Sequence, residues 1–187
     1  MTQGRTVKRE RLLQRMPMGG VCAEIGVWEG DFSDKIIEVT KPSVLCLIDP
    51  WKYESDEVYR DACYGGRKAT NQEQMDAVYS RVAKRFATQV RDGTVVIHRS
   101  PSSDAVAAFP DGYFDWVYID GNHLYEFVKL DLELWSPKIK RRGYITGDDY
   151  VEGRWWKGGV KRAVDEFASR ISCEPIIIGK QFILEMP

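Results

Sequence analysis

FDWVYIDGNHLYEFVKLDLELW, Phe114 to Trp135, decides how the rest of the chain is read. Its first half is an apolar, aromatic run short enough for a buried strand, and it stops on Asp120-Gly121-Asn122-His123. Its second half carries apolar residues at helical spacing, which predicts a helix from about Leu124 to Lys138. A buried strand that turns into an amphipathic helix is one βα unit, and parallel strands need such helical crossovers. Asp131 falls inside the apolar arc, near Leu124, Phe127 and Trp135. A buried carboxylate requires partners, so we read Asp131 as structural, hydrogen-bonded to a neighbouring loop.

The same alternation extends in both directions. Upstream, VCAEIGV (Val21 to Val27) is a strand, and Gly30-Asp31 opens a helix bearing Phe32, Ile36 and Ile37. SVLCLIDPW (Ser43 to Trp51) is a second strand. Thr70-x-x-Glu73 has the form of a capping box. The helix it would open places Met75, Val78, Tyr79, Val82 and Phe86 on one face. TVVIHRS is a third strand and SDAVAAF a short helix. Downstream, GYITGD is a fifth strand, and Val160, Ala163, Val164, Phe167 and Ile171 mark another helix. EPIIIG and QFILEM are two last strands, with so short a connection around Lys180 that they must be antiparallel. The expected architecture is α/β: βα units on a mostly parallel, seven-stranded sheet that ends in a hairpin.

With 187 residues, 43% apolar and 29% charged, the chain suits a single domain over 1–187, with an N-terminal helical extension over 1–20. A net charge of −1 excludes a global attraction to nucleic acid or an anionic membrane. No apolar run approaches a membrane span, and the charged N-terminus lacks the apolar core of a signal peptide, so a cytoplasmic location is expected. Cys22, Cys46, Cys63 and Cys173 have no CxxC spacing and are expected to be reduced thiols.

Ligands of open α/β sheets bind outside the carboxyl ends of the strands. Glu24, Asp49, Asp120 and Asp148 are all expected there, with Asp149 beside the last. After the first strand, Glu24-x-Gly26-x-x-x-Gly30 allows a tight turn onto a helix N-terminus, whereas the dinucleotide pattern GxGxxG is absent. Asp49 lies where such folds place an acid that accepts hydrogen bonds from ribose hydroxyls. A nucleoside-containing cofactor follows from the two together. Trp28 and Trp51 could wall its pocket or simply pack beside the turn.

Asp120, Asp148 and Asp149 form a second group. Close like charges are costly when partly buried, and a hard divalent cation relieves that cost. Carboxylate oxygens suit Mg²⁺, which keeps positions open for substrate oxygens. His123, three residues after Asp120, is the natural proton acceptor because imidazole titrates near neutral pH. His98, inside the third strand, is read as structural.

The Glu24-x-Gly26-x-x-x-Gly30 pattern, the LIDPW segment and the strand order with its final hairpin resemble the class I S-adenosylmethionine-dependent methyltransferases. The segment from Phe114 to Tyr150 narrows the likeness to small-molecule O-methyltransferases of the macrocin and aminocoumarin-sugar type, related more distantly to catechol O-methyltransferase. The resemblance runs from Val21 to the C-terminus and implies a Rossmann-like three-layer sandwich. It implies that Glu24, Gly26 and Gly30 border the methionine of S-adenosyl-L-methionine, with Asp120 close by, that Asp49 holds the ribose, and that Ser102 and Ser103 lie near the adenine. It further implies that Asp120, Asp148 and Asp149 hold the metal. In some members a histidine at the position of His123 acts as base. Others use an acid where this chain has Asn122, a departure that favours His123.

Two aromatic, glycine-bearing segments, 52–70 and 150–159, are candidate lids over an organic acceptor. Tyr53, Tyr59, Tyr64, Trp155 and Trp156 could cover a ring or a sugar face, or form the interface of a homodimer. Arg154 and Lys157 could select an anionic substrate, although a solvated basic loop explains them as simply. The expected partner is a small hydroxylated acceptor, either a sugar moiety or a catechol-like ring. Two alternatives stand beside a metal-dependent O-methyltransferase: a metal-independent enzyme directed by His123, and a non-catalytic adenosyl-ligand binding protein. A nucleic-acid methyltransferase is disfavoured by the neutral charge and by the absence of an NPPY-type motif after the fourth strand.

Overall fold

Seven strands form one sheet in the order β3-β2-β1-β4-β5-β7-β6. The computed structural model describes residues 9–59, 62, 64, 69–153 and 155–187. Cys63, the Gly65-Gly66 pair, Arg154 and the first eight residues of the expected N-terminal extension lie outside them. The strands are β1 (Val21–Ile25), β2 (Val44–Ile48), β3 (Val95–His98), β4 (Phe114–Ile119), β5 (Ile139–Gly147), β6 (Ile176–Ile178) and β7 (Gln181–Glu185). β1 to β5 run parallel, and β7 lies antiparallel between β5 and β6. The helices are α1, described over residues 9–13, α2 (Asp31–Thr40), α3 (Gln72–Arg85), α4 (Ala87–Asp92), α5 (Ser102–Ala105), α6 (Tyr125–Trp135) and α7 (Gly159–Arg170). No helix among the described residues is long and apolar enough to cross a membrane.

Period-two alternation divides the strands between two cores. Ala23, Ile25, Cys46, Ile48, Val117 and Ile119 face α6 and α7, where Val128, Leu132, Trp135, Val164 and Phe167 meet them. Cys22, Leu45, Leu47, Trp116 and Tyr118 face the opposite way, onto Phe32 and Ile36 of α2 and Val78 and Val82 of α3. The result is a helix–sheet–helix sandwich. α1 belongs to this second core, because Leu12, Leu13 and Met16 are all buried in it. Burial of a side chain of that size contributes about 1.5–3 kcal/mol, so α1 is held firmly on the sheet.

Local details differ from expectation at two helices. The N-cap of α3 is Asn71, whose side chain accepts from the Gln74 N–H, while the Gln74 side chain accepts from the Thr70 N–H. The cap thus falls one residue later than Thr70 and Glu73 suggest, because Asn caps as well as Thr does, and the return bond goes to the Thr70 N–H ahead of the cap and not to that of Asn71. The helix also breaks at Phe86, a fully buried residue, before the short α4.

The chain leaves β3 and returns on the far side of β1 as β4, so the connections on either side of the β1–β4 pair run in opposite directions. This switch point opens a crevice at the carboxyl ends of the two strands. The loops after β1 and β4 meet there closely: a Cβ on Gly26, at φ 90°, would lie 2.3 Å from the Asp120 carbonyl oxygen. Gly26 is therefore required by the packing of one loop on the other.

Asp131 is buried on α6 and accepts a hydrogen bond from the Ser102 hydroxyl at 2.5 Å, the loop contact expected of it. Burial raises its pKa to about 6, with the Ser102 bond opposing the shift only in part. A raised carboxyl pKa means the native state holds its proton more tightly than the unfolded chain does. The resulting cost is absent at low pH and appears as pH rises through about 6. Asp131→Asn removes the titration. Its stability relative to wild type is expected to improve by about 2–3 kcal/mol between about pH 4 and about pH 8. Urea unfolding of both proteins at the two pH values measures this difference.

Candidate active site

Every acid expected at a strand end is found at the carboxyl edge, yet each has a different neighbourhood. Asp49 follows β2 and is fully used: Oδ2 accepts the N–H groups of Val27 and Trp28, and Oδ1 accepts the Trp51 N–H and the Tyr64 hydroxyl. Burial pushes its pKa up, while these bonds pull it down. The carboxylate thereby ties the β1 loop to the β2 loop. The Tyr64 hydroxyl, at 2.6 Å, presents to Oδ1 the kind of donor that a ribose presents. Trp28, Trp51 and Asp149 all hold left-handed backbone, with φ of 54°, 41° and 57°. Such conformations cost about 1 kcal/mol or more each and cluster at functional sites. Trp51 is wholly buried, its indole N–H donating to the Trp28 carbonyl, so it belongs to the core; Trp28 is half-buried and packs on Tyr64.

Glu24 lies within β1 and is 1% exposed. Burial raises its pKa to about 8 against the opposing Ser33 hydroxyl bond of 2.5 Å and the charge of Arg9. Gly30 caps α2 in left-handed conformation. Ser102 is committed to Asp131, and the Ser103 hydroxyl donates to Asp104.

Asp120, His123 and Asp149 converge. One ligand atom from each lies within 4.8 Å of the others. His123 Nε2 is 3.0 Å from Asp149 Oδ2 and 3.5 Å from Asp120 Oδ1. Burial opposes charge on the imidazole, but hydrogen bonds to Asp120 and Asp149 outweigh it and raise the pKa to about 9. The ring is placed from both sides. Asn122 accepts the Leu124 N–H, which fixes the turn into α6. Trp156 packs on the ring at 4.8 Å between centroids. At the start of α7, a Cβ on Gly159 would lie 2.7 Å from the His123 carbonyl oxygen, so only glycine lets α7 approach this turn.

Asp148 sits apart from that trio in its bonding. Its Oδ1 accepts the Asp149 N–H, and its Oδ2 receives Arg9 Nη2 at 2.6 Å and Nε at 3.1 Å. The same Nη2 reaches Asp120 Oδ2 at 2.5 Å. Arg9 is 7% exposed and lies over the rings of Phe32 and Tyr118. Sequence reading missed this residue. It sits among the charged residues of the N-terminus, and only the docking of Leu12 and Leu13 one turn later reveals which way it faces.

The described parts of the two aromatic segments meet above the trio. Tyr59 accepts a hydrogen bond from Asn122 and packs edge-on against Trp155, which in turn packs against Trp156. His98 lies at the end of β3 against Phe109. Burial lowers its pKa, in keeping with a structural role. Cys22, Cys46 and Cys173 are free thiols.

Residues 23–150 match the family model described as a methyltransferase domain. Among solved structures, the O-methyltransferase NovP is 22% identical, with a TM-score of 0.67 over 96% of this chain and 80% of that one. The calicheamicin methyltransferase CalS11 is 15% identical, with a TM-score of 0.66 over 99% of this chain and 80% of that one. A putative caffeoyl-CoA O-methyltransferase from Staphylococcus aureus is 14% identical, with a TM-score of 0.63 over 98% and 82%. At these identities the likeness is one of fold. The uncharacterized protein R132 of Acanthamoeba polyphaga mimivirus is 41% identical over 46 residues, 25% of this chain and 20% of that protein. The family match spans more than half of the chain, and the sheet order agrees with it: this protein belongs to the methyltransferase-domain family and has the fold of class I S-adenosylmethionine-dependent methyltransferases.

Proposed function

We propose that the protein transfers the methyl group of S-adenosyl-L-methionine to a hydroxyl of a small molecule, with a divalent cation, Mg²⁺ by its ligand chemistry, at Asp120 and Asp149. The observation that carries this reading is the convergence of Asp120, His123 and Asp149 at the switch point. Two hard carboxylate oxygens beside an imidazole suit a divalent ion that leaves positions open for substrate oxygens. When bound, such an ion supplies Lewis acidity that lowers the pKa of an acceptor hydroxyl.

The chain's own residues do the remainder. The turn from Glu24 to Gly30 would hold the methionine end, and the segment at Ser102 and Ser103 would border the adenine. Asp49 would take a ribose hydroxyl once Tyr64 gives up its bond to Oδ1. S-adenosyl-L-methionine, when bound, would supply an electrophilic methyl group with the sulfur as leaving group, and His123 Nε2 would take the proton of the acceptor hydroxyl. With Asp120 and Asp149 engaged by a cation, the interactions that keep His123 protonated are removed, which suits it to accept. Tyr59, Trp155 and Trp156 would cover an acceptor such as a sugar or a catechol-like ring, and the packing of Trp155 and Trp156 against His123, with Tyr59 edge-on to Trp155, supports a flat or ring-shaped substrate.

The test is calorimetric titration of S-adenosylhomocysteine and then Mg²⁺, followed by methyl-transfer assays on vicinal diols and catechols with and without chelator. We expect both ligands to bind, and turnover to vanish with chelator and return with Mg²⁺. Turnover that ignores the chelator would instead assign the chemistry to His123 alone. Cofactor binding with no transfer to any acceptor would make this a binding protein.

A further inference from the structure

β6 is an edge of the sheet: β7 lies on one side of it, and among the described residues no strand lies on the other. An open edge is a row of unpaired N–H and C=O groups, which folds usually blunt with a charge or a proline inside the strand. This strand is Ile176-Ile177-Ile178, with Ile176 46% and Ile177 42% exposed. Glu174-Pro175 and Gly179-Lys180 stand only at its ends. The hairpin fixes which groups face outward. Gly179-Lys180 is a two-residue turn, with Gly179 at φ 69°, and Ile178 and Gln181 flank it as partners. Residues flanking such a turn exchange both backbone bonds, and the bonding direction alternates along the strand. Ile176 and Ile178 therefore bond toward β7, whereas the N–H and C=O of Ile177 face the open side. The Lys180 carbonyl accepts the Tyr150 N–H, which holds the turn in place.

The segment from Glu174 to Lys180 is complementary to itself about Ile177. Laid antiparallel on a second copy with Ile177 opposite its equivalent, Ile176 meets Ile178 and Glu174 meets Lys180, each pair occurring twice. The outward N–H of each Ile177 then meets the outward carbonyl of the other. Glu174 is exposed and Lys180 half-buried, and neither side chain has an ion pair among the described residues. Charges that merely guard an edge serve with a single sign. Opposite signs at matched positions favour one pairing, because any shift of register separates both matches.

We propose that β6 is a homodimer interface: two copies of the chain join antiparallel across a two-fold axis at Ile177, one sheet continues through both subunits, and the Glu174–Lys180 pairs fix the register. A two-fold interface uses the same patch on both partners, which is what a self-complementary strand supplies. Backbone bonds along the edge give affinity, and the isoleucine pairs and end charges give specificity. The strand is short, so the interface is smaller than standard and association is expected in the micromolar range. This inference does not depend on the chemistry proposed for the acids.

Sedimentation velocity of the full chain from about 1 to about 500 µM, in low and high salt, tests the proposal. Wild type is expected to pass from monomer to dimer, with the midpoint moving to higher concentration as salt screens the end pairs. Glu174→Lys and Lys180→Glu each set like charges opposite one another at both ends, and each is expected to weaken dimerisation about tenfold. The double variant Glu174→Lys/Lys180→Glu restores the matches in reverse and is expected to return to within about threefold of wild type. Ile177→Lys, at an exposed position, puts two like charges on the axis and is expected to abolish the dimer. Wild type that stays monomeric throughout would overturn the proposal. A dimer that survives Ile177→Lys would belong to another surface and overturn it as well. A double variant that dimerises no better than the single variants would refute the register, and the interface with it.

Discussion

Asp120→Asn is expected to lower kcat/KM for methyl transfer by about 10³-fold, the scale of losing a charged oxygen from a metal-assisted transfer. Asp120 meets both Arg9 and His123, with Oδ2 on Arg9 and Oδ1 toward His123. An amide there cannot carry the negative charge that both cations need. Asp149→Asn is the comparison. Asparagine tolerates the left-handed φ of 57° as aspartate does, and its carbonyl oxygen can still serve as a ligand. Its loss is expected to be far smaller, about tenfold, on the scale of a weakened metal contact. Steady-state kinetics at saturating Mg²⁺ decides the matter. Equal losses in the two variants would mean that Asp120 has no special place, and unchanged turnover in Asp120→Asn would remove the metal from these acids.

His123→Gln is expected to reduce kcat by about 10²–10³-fold with little change in cofactor affinity, because general-base catalysis contributes on that scale. Glutamine can keep a hydrogen bond toward Asp149 but cannot accept a proton usefully at neutral pH. The affinity for S-adenosylhomocysteine separates the roles. If His123 only supports the turn under Trp156 and Gly159, cofactor and metal binding should weaken together with kcat. If it is the base, kcat falls alone. A loss of less than about tenfold would pass the proton to solvent.

Much of this protein was legible along the chain. Strand and helix periods alternate in local runs, and local runs are what sequence displays: LIDPW, FDWVYID and GYITGDD each mark a strand and the acid that follows it. Once the strands are parallel, their carboxyl ends must share one edge, so Asp49, Asp120 and Asp148 could be placed together without coordinates. The caps were less secure, since Thr70 and Asn71 compete for the same orphan N–H groups and only the helix geometry chooses between them.

What the sequence by itself determined is thus the fold class, the family and the edge that gathers the acids. Tertiary structure alone decided how the acids are shared. Arg9 stands 111 residues from Asp120 and 139 from Asp148, and no local pattern joins them. Their pairing depends on the α1 leucines docking beside Phe32 and Tyr118. Gly159 likewise reads as an ordinary glycine until α7 is seen against the His123 backbone. Periodicity reports which face of an element is buried. Which buried charges then meet is set by packing between distant elements, and that information lies in the fold.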